Sequence, residues 1–117
     1  QTWVRLGVQA SCSRWGVPAA TATAYANSVT LGSNPMETIA MEKWVDMFLQ
    51  GFDAWTEWRR LDYPVLSPPA AAITGTGVPV RNGYGGLVPT QNKANYEAAV
   101  SAQGPDTQDT KLWWDTK

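Results

Sequence analysis

METIAMEKWVDMFLQGFDAWTEWRRLDYPVL, residues 36–66, decides the fold. Met36, Ala40, Trp44 and Met47 recur at steps of three and four, and Ile39, Val45, Phe48 and Leu49 widen the stripe. That spacing is a helical period. Only Glu37, Glu42, Lys43 and Asp46 give the segment a polar side, so the sequence predicts a helix buried over most of its girth. Gly51 interrupts, and Phe52, Trp55, Trp58 and Leu61 then follow at steps of three. Gly51 therefore marks a kink or a break between two helices. Pro64 ends the run, because the residue before a proline is pushed toward extended geometry. The reading is one helix over 35–49, capped by Asn34 with Pro35 in its first position, and a second over 51–62. Trp44, Phe48, Phe52, Trp55 and Trp58 are its expected core.

The same logic extends in both directions. Trp3, Leu6 and Ala10, with Val4 and Val8, predict a helix over 3–14, stopped by Gly16. Pro18 starts the next, an alanine-rich helix over 18–29. Residues 64–91 are rich in proline and glycine and read as a loop, with a short strand expected at Val78–Val80. A loop of that length is unusual inside a compact domain. It is expected to lie on sequence outside this chain. A helix follows over 92–103, stopped by Gly104 and Pro105, and a polar tail over 104–117 carries Trp113 and Trp114. The fold class is mainly α with long irregular loops, and residues 1–117 form a single segment.

Composition narrows the function. Charged residues are 16% of the chain against a usual ~25%, and seven tryptophans are many for one small core. Both observations predict surfaces covered by something else and a chain that is a fragment. Nine basic and ten acidic residues give a net charge of -1. No basic excess is present to hold a phosphate backbone, which argues against nucleic acid. Cys12 is the one cysteine and histidine is absent. A metal site, a cofactor and a histidine-based catalytic triad are therefore not expected, and Cys12 reads as a small buried apolar residue.

Individual residues carry two readings each. Trp55 and Trp58 with Arg59 and Arg60 have the chemistry of a sugar platform, but they continue the Trp44 stripe and are expected in the core. One arginine is expected to pair with Glu57 or Asp62. Asp53 and Glu57, four apart on a helix, form a carboxylate pair of the kind glycoside hydrolysis uses; paired or solvated carboxylates are the preferred reading. The glycines at Gly75, Gly77, Gly83, Gly85 and Gly86 lack the lysine and hydroxyl of a phosphate loop. Tyr84, among them, is a candidate ligand contact. Trp113 and Trp114 are candidate ligand contacts as well, although a clip holding the C-terminus onto the helices is the preferred reading.

In order along the chain, MEKWVDMFLQGFDAWTEWRRLDYPVL, VPVR, NKANYEAAVSAQG and DTKLWWDTK resemble the C-terminal end of the SusD/RagB family of nutrient-binding proteins. LGVQASCSRWGV is similar to the preceding family helix. The stretch after Arg81 departs from the family pattern, reading Asn82-Gly83-Tyr84-Gly85-Gly86. The resemblance implies a tetratricopeptide-like helical scaffold with long loops, in a protein several times longer. It implies non-catalytic capture of glycan, or another polymeric nutrient, at the bacterial outer membrane. The implied partners are a TonB-dependent transporter and the remainder of the chain, with a lipid anchor upstream, so Cys12 is not that anchor. The segment itself would be mainly scaffold. The alternative is a helical protein-interaction module with no ligand site of its own.

Overall fold

A computed structural model describes residues 1–71 and 77–116. Among these, six helices and no strand are present, so the fold class is helical. The chain forms two compact units, Gln1–Val65 and Leu66–Lys117.

The first unit holds α1 (Thr2–Arg14), α2 (Ala19–Ser28), α3 (Pro35–Asp46) and α4 (Gly51–Leu61). Helix α1 packs on α2, α3 on α4, and α1 also touches α3. Val8, Ala26 and Val29 form the core cluster, with Val4 and Cys12 packed against it in partial burial. Ala22, Ala40, Ala54 and Leu61 complete the buried set. Four of these seven buried apolar residues are alanines, whose size lets helix backbones approach closely while the larger side chains splay outward.

The helix ends follow from local chemistry. The Asn34 side chain accepts a hydrogen bond from the Glu37 N–H, and Pro35 occupies the first turn, where its missing N–H costs nothing. Gly16 lies in the left-handed region (φ 75°) and turns the chain out of α1. Helix α3 ends at Asp46, three residues before the expected end at 49. The break falls on Met47–Gln50, and it is Leu49, not Gly51, that takes the left-handed backbone (φ 68°). Gly51 instead opens α4.

That early stop corrects two core assignments. Phe48 is 65% exposed and Phe52 is 83% exposed. Phe48 lies past the end of α3, off its inward stripe. On α4 the buried residues are Ala54 and Leu61, seven apart. At 100° per residue Phe52 points almost directly away from them, because a run at steps of three drifts round the helix. Trp44, Trp55 and Trp58 are half-buried.

Carboxylates tie the helices together. Asp46 on α3 accepts bonds from Ser11 and Arg14 of α1. Glu42 accepts the Tyr25 hydroxyl of α2 at 3.0 Å. Glu57 on α4 receives Lys43 from α3 and Arg60 from its own last turn. Arg60 and then Lys43 hold the Glu57 carboxyl at about 2, against an ordinary 4.5.

The second unit holds α5 (Val88–Gln91) and α6 (Lys93–Gln103). Helix α5 lies inside the stretch expected to be loop, and Pro89 sits in its first turn. Gly104 ends α6 at φ 99°, a conformation L side chains rarely adopt. Val78–Val80 is not a strand, although the Val80 N–H donates to the Gln108 carbonyl at 2.9 Å. Gly75 falls outside the described residues. No described helix is long and apolar enough to cross a membrane.

Two outcomes are expected. Asn34→Ala removes a cap and lowers unfolding free energy by about 1 kcal/mol in urea titration. Because the Glu57 carboxyl is depressed in the folded state, its contribution is complete above about 4.5 and disappears as pH falls toward about 2. The melting temperature should drop over that window, and Glu57→Gln should make the drop shallower.

Candidate functional site

The buried set of the second unit contains no apolar side chain among the described residues; its one member is Arg81, 5% exposed. Burying a guanidinium is costly unless it is paired and hydrogen-bonded. Arg81 meets this by donating from Nη2 to Asp106 Oδ1 at 3.0 Å and from Nε to the Asn82 carbonyl at 3.1 Å. Its Nη1 is buried with no hydrogen-bond partner among the described residues.

Asp106 collects further donors. The Tyr84 N–H reaches its two oxygens at 3.1 and 3.3 Å, and the Tyr96 hydroxyl donates at 3.4 Å. One carboxylate thus joins the 81–84 loop, α6 and the segment after α6. Partial burial, then the Asp106 charge, raise the Tyr96 phenol above its ordinary 10. The Tyr84 ring is held from several directions. The Tyr96 ring meets it at 5.7 Å and 80°, the Arg81 guanidinium lies 5.4 Å from its centroid, and Gln103 donates to its hydroxyl at 3.3 Å.

Beside this network lies an open recess of about 600 Å³. Asn82, Gly83 and Tyr84 form one wall, and Asp106, Thr107, Gln108 and Asp109 the other. Amides, a hydroxyl, carboxylates and a ring lie within one concavity, a set able to bond the hydroxyls of a polar ligand and pack on its apolar face. Tyr84 is 39% exposed there.

The other expected contacts lie elsewhere. Trp113 is 89% exposed and so is not packed into the described residues, and Trp114 is 38% exposed. Neither lines the recess. Trp55 is covered by the Arg59 guanidinium at 3.9 Å, and the Trp58 Nε1–H donates to the Pro64 carbonyl at 3.1 Å. Glu57 is committed to Arg60 and Lys43. Among the described residues no group of three or more cysteines, aspartates or glutamates is placed to hold a metal ion. Arg81 and Asp106 were missed by sequence reasoning. They stand 25 positions apart, and no short-range pattern reports such a pairing; a lone arginine in a weakly charged loop was the one available signal.

The first unit also carries a cleft, of about 480 Å³, with an apolar lining that includes Val4, Val8, Trp15, Ile39 and Phe48. Its polar members are already engaged: Ser11 and Asp46 with each other, Tyr25 with Glu42, and Lys43 with Glu57.

The chain belongs to the SusD-like family: the family model described as "Starch-binding associating with outer membrane" matches residues 2–85. That match includes Arg81 and Tyr84 and stops short of Asp106. Among the solved structures similar to it are these two. A Bacteroidetes AC2a SusD-like protein superposes with a TM-score of 0.82 at 26% identity, over 99% of this chain and 25% of its own. A chitin-binding protein superposes with a TM-score of 0.78 at 29% identity, over 97% of this chain and 27% of its own. The chain thus spans about a quarter of the length of these structures. No curated protein matches it.

Removing one partner of the buried ion pair should be costly. Asp106→Ala strands the Arg81 charge and is expected to lose about 3 kcal/mol of unfolding free energy. The double variant Arg81→Met with Asp106→Leu should recover much of that loss. A double-mutant cycle by urea unfolding checks both.

Proposed function

We propose that this chain is the C-terminal part of a surface glycan-binding protein that captures a polysaccharide without cleaving it. The longer protein is lipid-anchored upstream at the outer membrane and delivers its ligand to a TonB-dependent transporter. The recess beside Tyr84 carries this reading: an aromatic ring locked in place next to amide, hydroxyl and carboxylate groups is suited to sugar rings, which present C–H faces and hydroxyls. The family description and the chitin-binding neighbour support glycan as the ligand class.

The first unit serves mainly as scaffold. Its apolar cleft, and outside that cleft the exposed Trp3 at 85%, Leu49 at 81% and Phe52 at 83%, are surfaces on which the remainder of a longer chain packs. The fourfold greater length of the matched structures supports that reading. The same exposed residues favour a second reading, a helical interaction module that grips the transporter or another protein and has no ligand site.

Titration with maltoheptaose and chitohexaose, followed by intrinsic fluorescence and calorimetry, separates the two. Saturable binding with no release of shorter sugars is expected. Tyr84→Ala, which keeps the backbone bond to Asp106, should weaken binding about tenfold, or ~1.4 kcal/mol. No response from either sugar would favour the interaction module, and sugar release would overturn the non-catalytic reading.

A further inference from the structure

We propose that α6 aims the Tyr84 ring at the recess, with Tyr96 and Gln103 as positioning residues for sugar binding; this rests on the glycan reading above. The Asp106 carboxylate fixes the Tyr84 backbone through its N–H. A fixed backbone still leaves a tyrosine side chain a choice of staggered rotamers, so that bond alone does not decide where the ring points. The ring itself is held from α6. The Tyr96 ring meets it at 5.7 Å between centroids and 80° between planes, the edge-on arrangement that aromatic pairs favour. Gln103 Nε2 donates to the Tyr84 hydroxyl at 3.3 Å.

Spacing makes these two contacts one device. Tyr96 and Gln103 stand two helical turns apart on α6, which returns both to one face, about 10 Å apart along the axis. One therefore meets the body of the ring and the other its hydroxyl end. Tyr84 cannot swing out of its rotamer without breaking both contacts. Neither residue lines the recess, so each acts on a ligand there through Tyr84. Nor do they serve a hydrophobic core, since no residue of α6 is buried. The residues that match the family model, 2–85, include Tyr84 and leave out α6. Ordering a loose side chain on binding costs affinity, and a ring already held avoids that cost.

The test uses the intact protein carrying this chain and whichever of maltoheptaose and chitohexaose it binds, titrated by calorimetry. Tyr96→Leu removes the ring contact and is expected to weaken binding about fivefold, and Gln103→Ala about threefold. Tyr96→Phe keeps the ring, gives up only the hydroxyl bond to Asp106, and should stay within about twofold of the wild type. A general loosening of the loop would act whatever stands at position 84, whereas positioning acts through the ring. In a Tyr84→Ala background, Tyr96→Leu and Gln103→Ala should therefore lose nearly all of their effect. Gln103→Ala removes one exposed hydrogen bond, so the test survives a Tyr96→Leu that does not fold. Single variants that bind as the wild type does, or losses that persist in full beside Tyr84→Ala, overturn the positioning role and leave the glycan reading standing. Failure of the wild type to bind either sugar overturns the glycan reading and the positioning role with it.

Discussion

Carboxylates that gather donors from neighbouring elements set the geometry of each unit. The reason is visible in what is buried. The first unit hides small residues, Ala22, Ala26, Ala40 and Ala54 among them, and no large side chain is fully buried among the described residues. Alanine brings helices close but contributes little apolar area. Register between the helices then depends on directional bonds, which Asp46, Glu42 and Glu57 supply. In the second unit the substitution goes further, and Asp106 with the buried Arg81 stands where a hydrophobic core would be. Exposed ion pairs contribute little to stability, whereas one that is largely dehydrated fixes geometry and cannot lose a partner cheaply.

This constraint connects structure to function. A loop held by an apolar plug presents an apolar face, whereas a loop held by a carboxylate presents polar atoms to whatever lies beside it. Asp106 is at once the fastener of the 81–84 loop and part of the recess wall. The groups that line the recess are therefore fixed by the same bonds that fold the loop. Under the proposed function little ordering would be left for a ligand to bring about, which is the basis of preorganised recognition.

Much of the helical architecture was legible because it rests on short-range rules. Periodicity marked the helical stretches, Asn34-Pro35 marked a start, and Gly104 marked an end. The misreadings have equally local causes. Phe48 and Phe52 were assigned to the core by following an apolar run through a helix end and then along steps of three, and both steps rotate a side chain off the buried face. Helix α5 was hidden by the surrounding glycines and prolines, although Pro89 is well suited to a first turn. Of the site, Tyr84 was legible as an aromatic residue in a glycine-rich loop. Its supports were not, since pairing across 25 residues leaves no trace in a window of ten. The family resemblance filled what composition could not, and the match over residues 2–85 carries it.

The spacing of Arg81 and Asp106 also has a temporal side. Closing a loop of 25 residues costs on the order of 3 kcal/mol of chain entropy, so the contact forms only when several bonds can form with it. During synthesis the ribosome delivers Arg81 first and must add the whole of α6 before its counter-charge exists. Helix α6 needs only local bonds and can be in place by then. Arg81 therefore gains its counter-charge only after the whole of α6 has been added, and the 81–84 loop takes its shape after that helix.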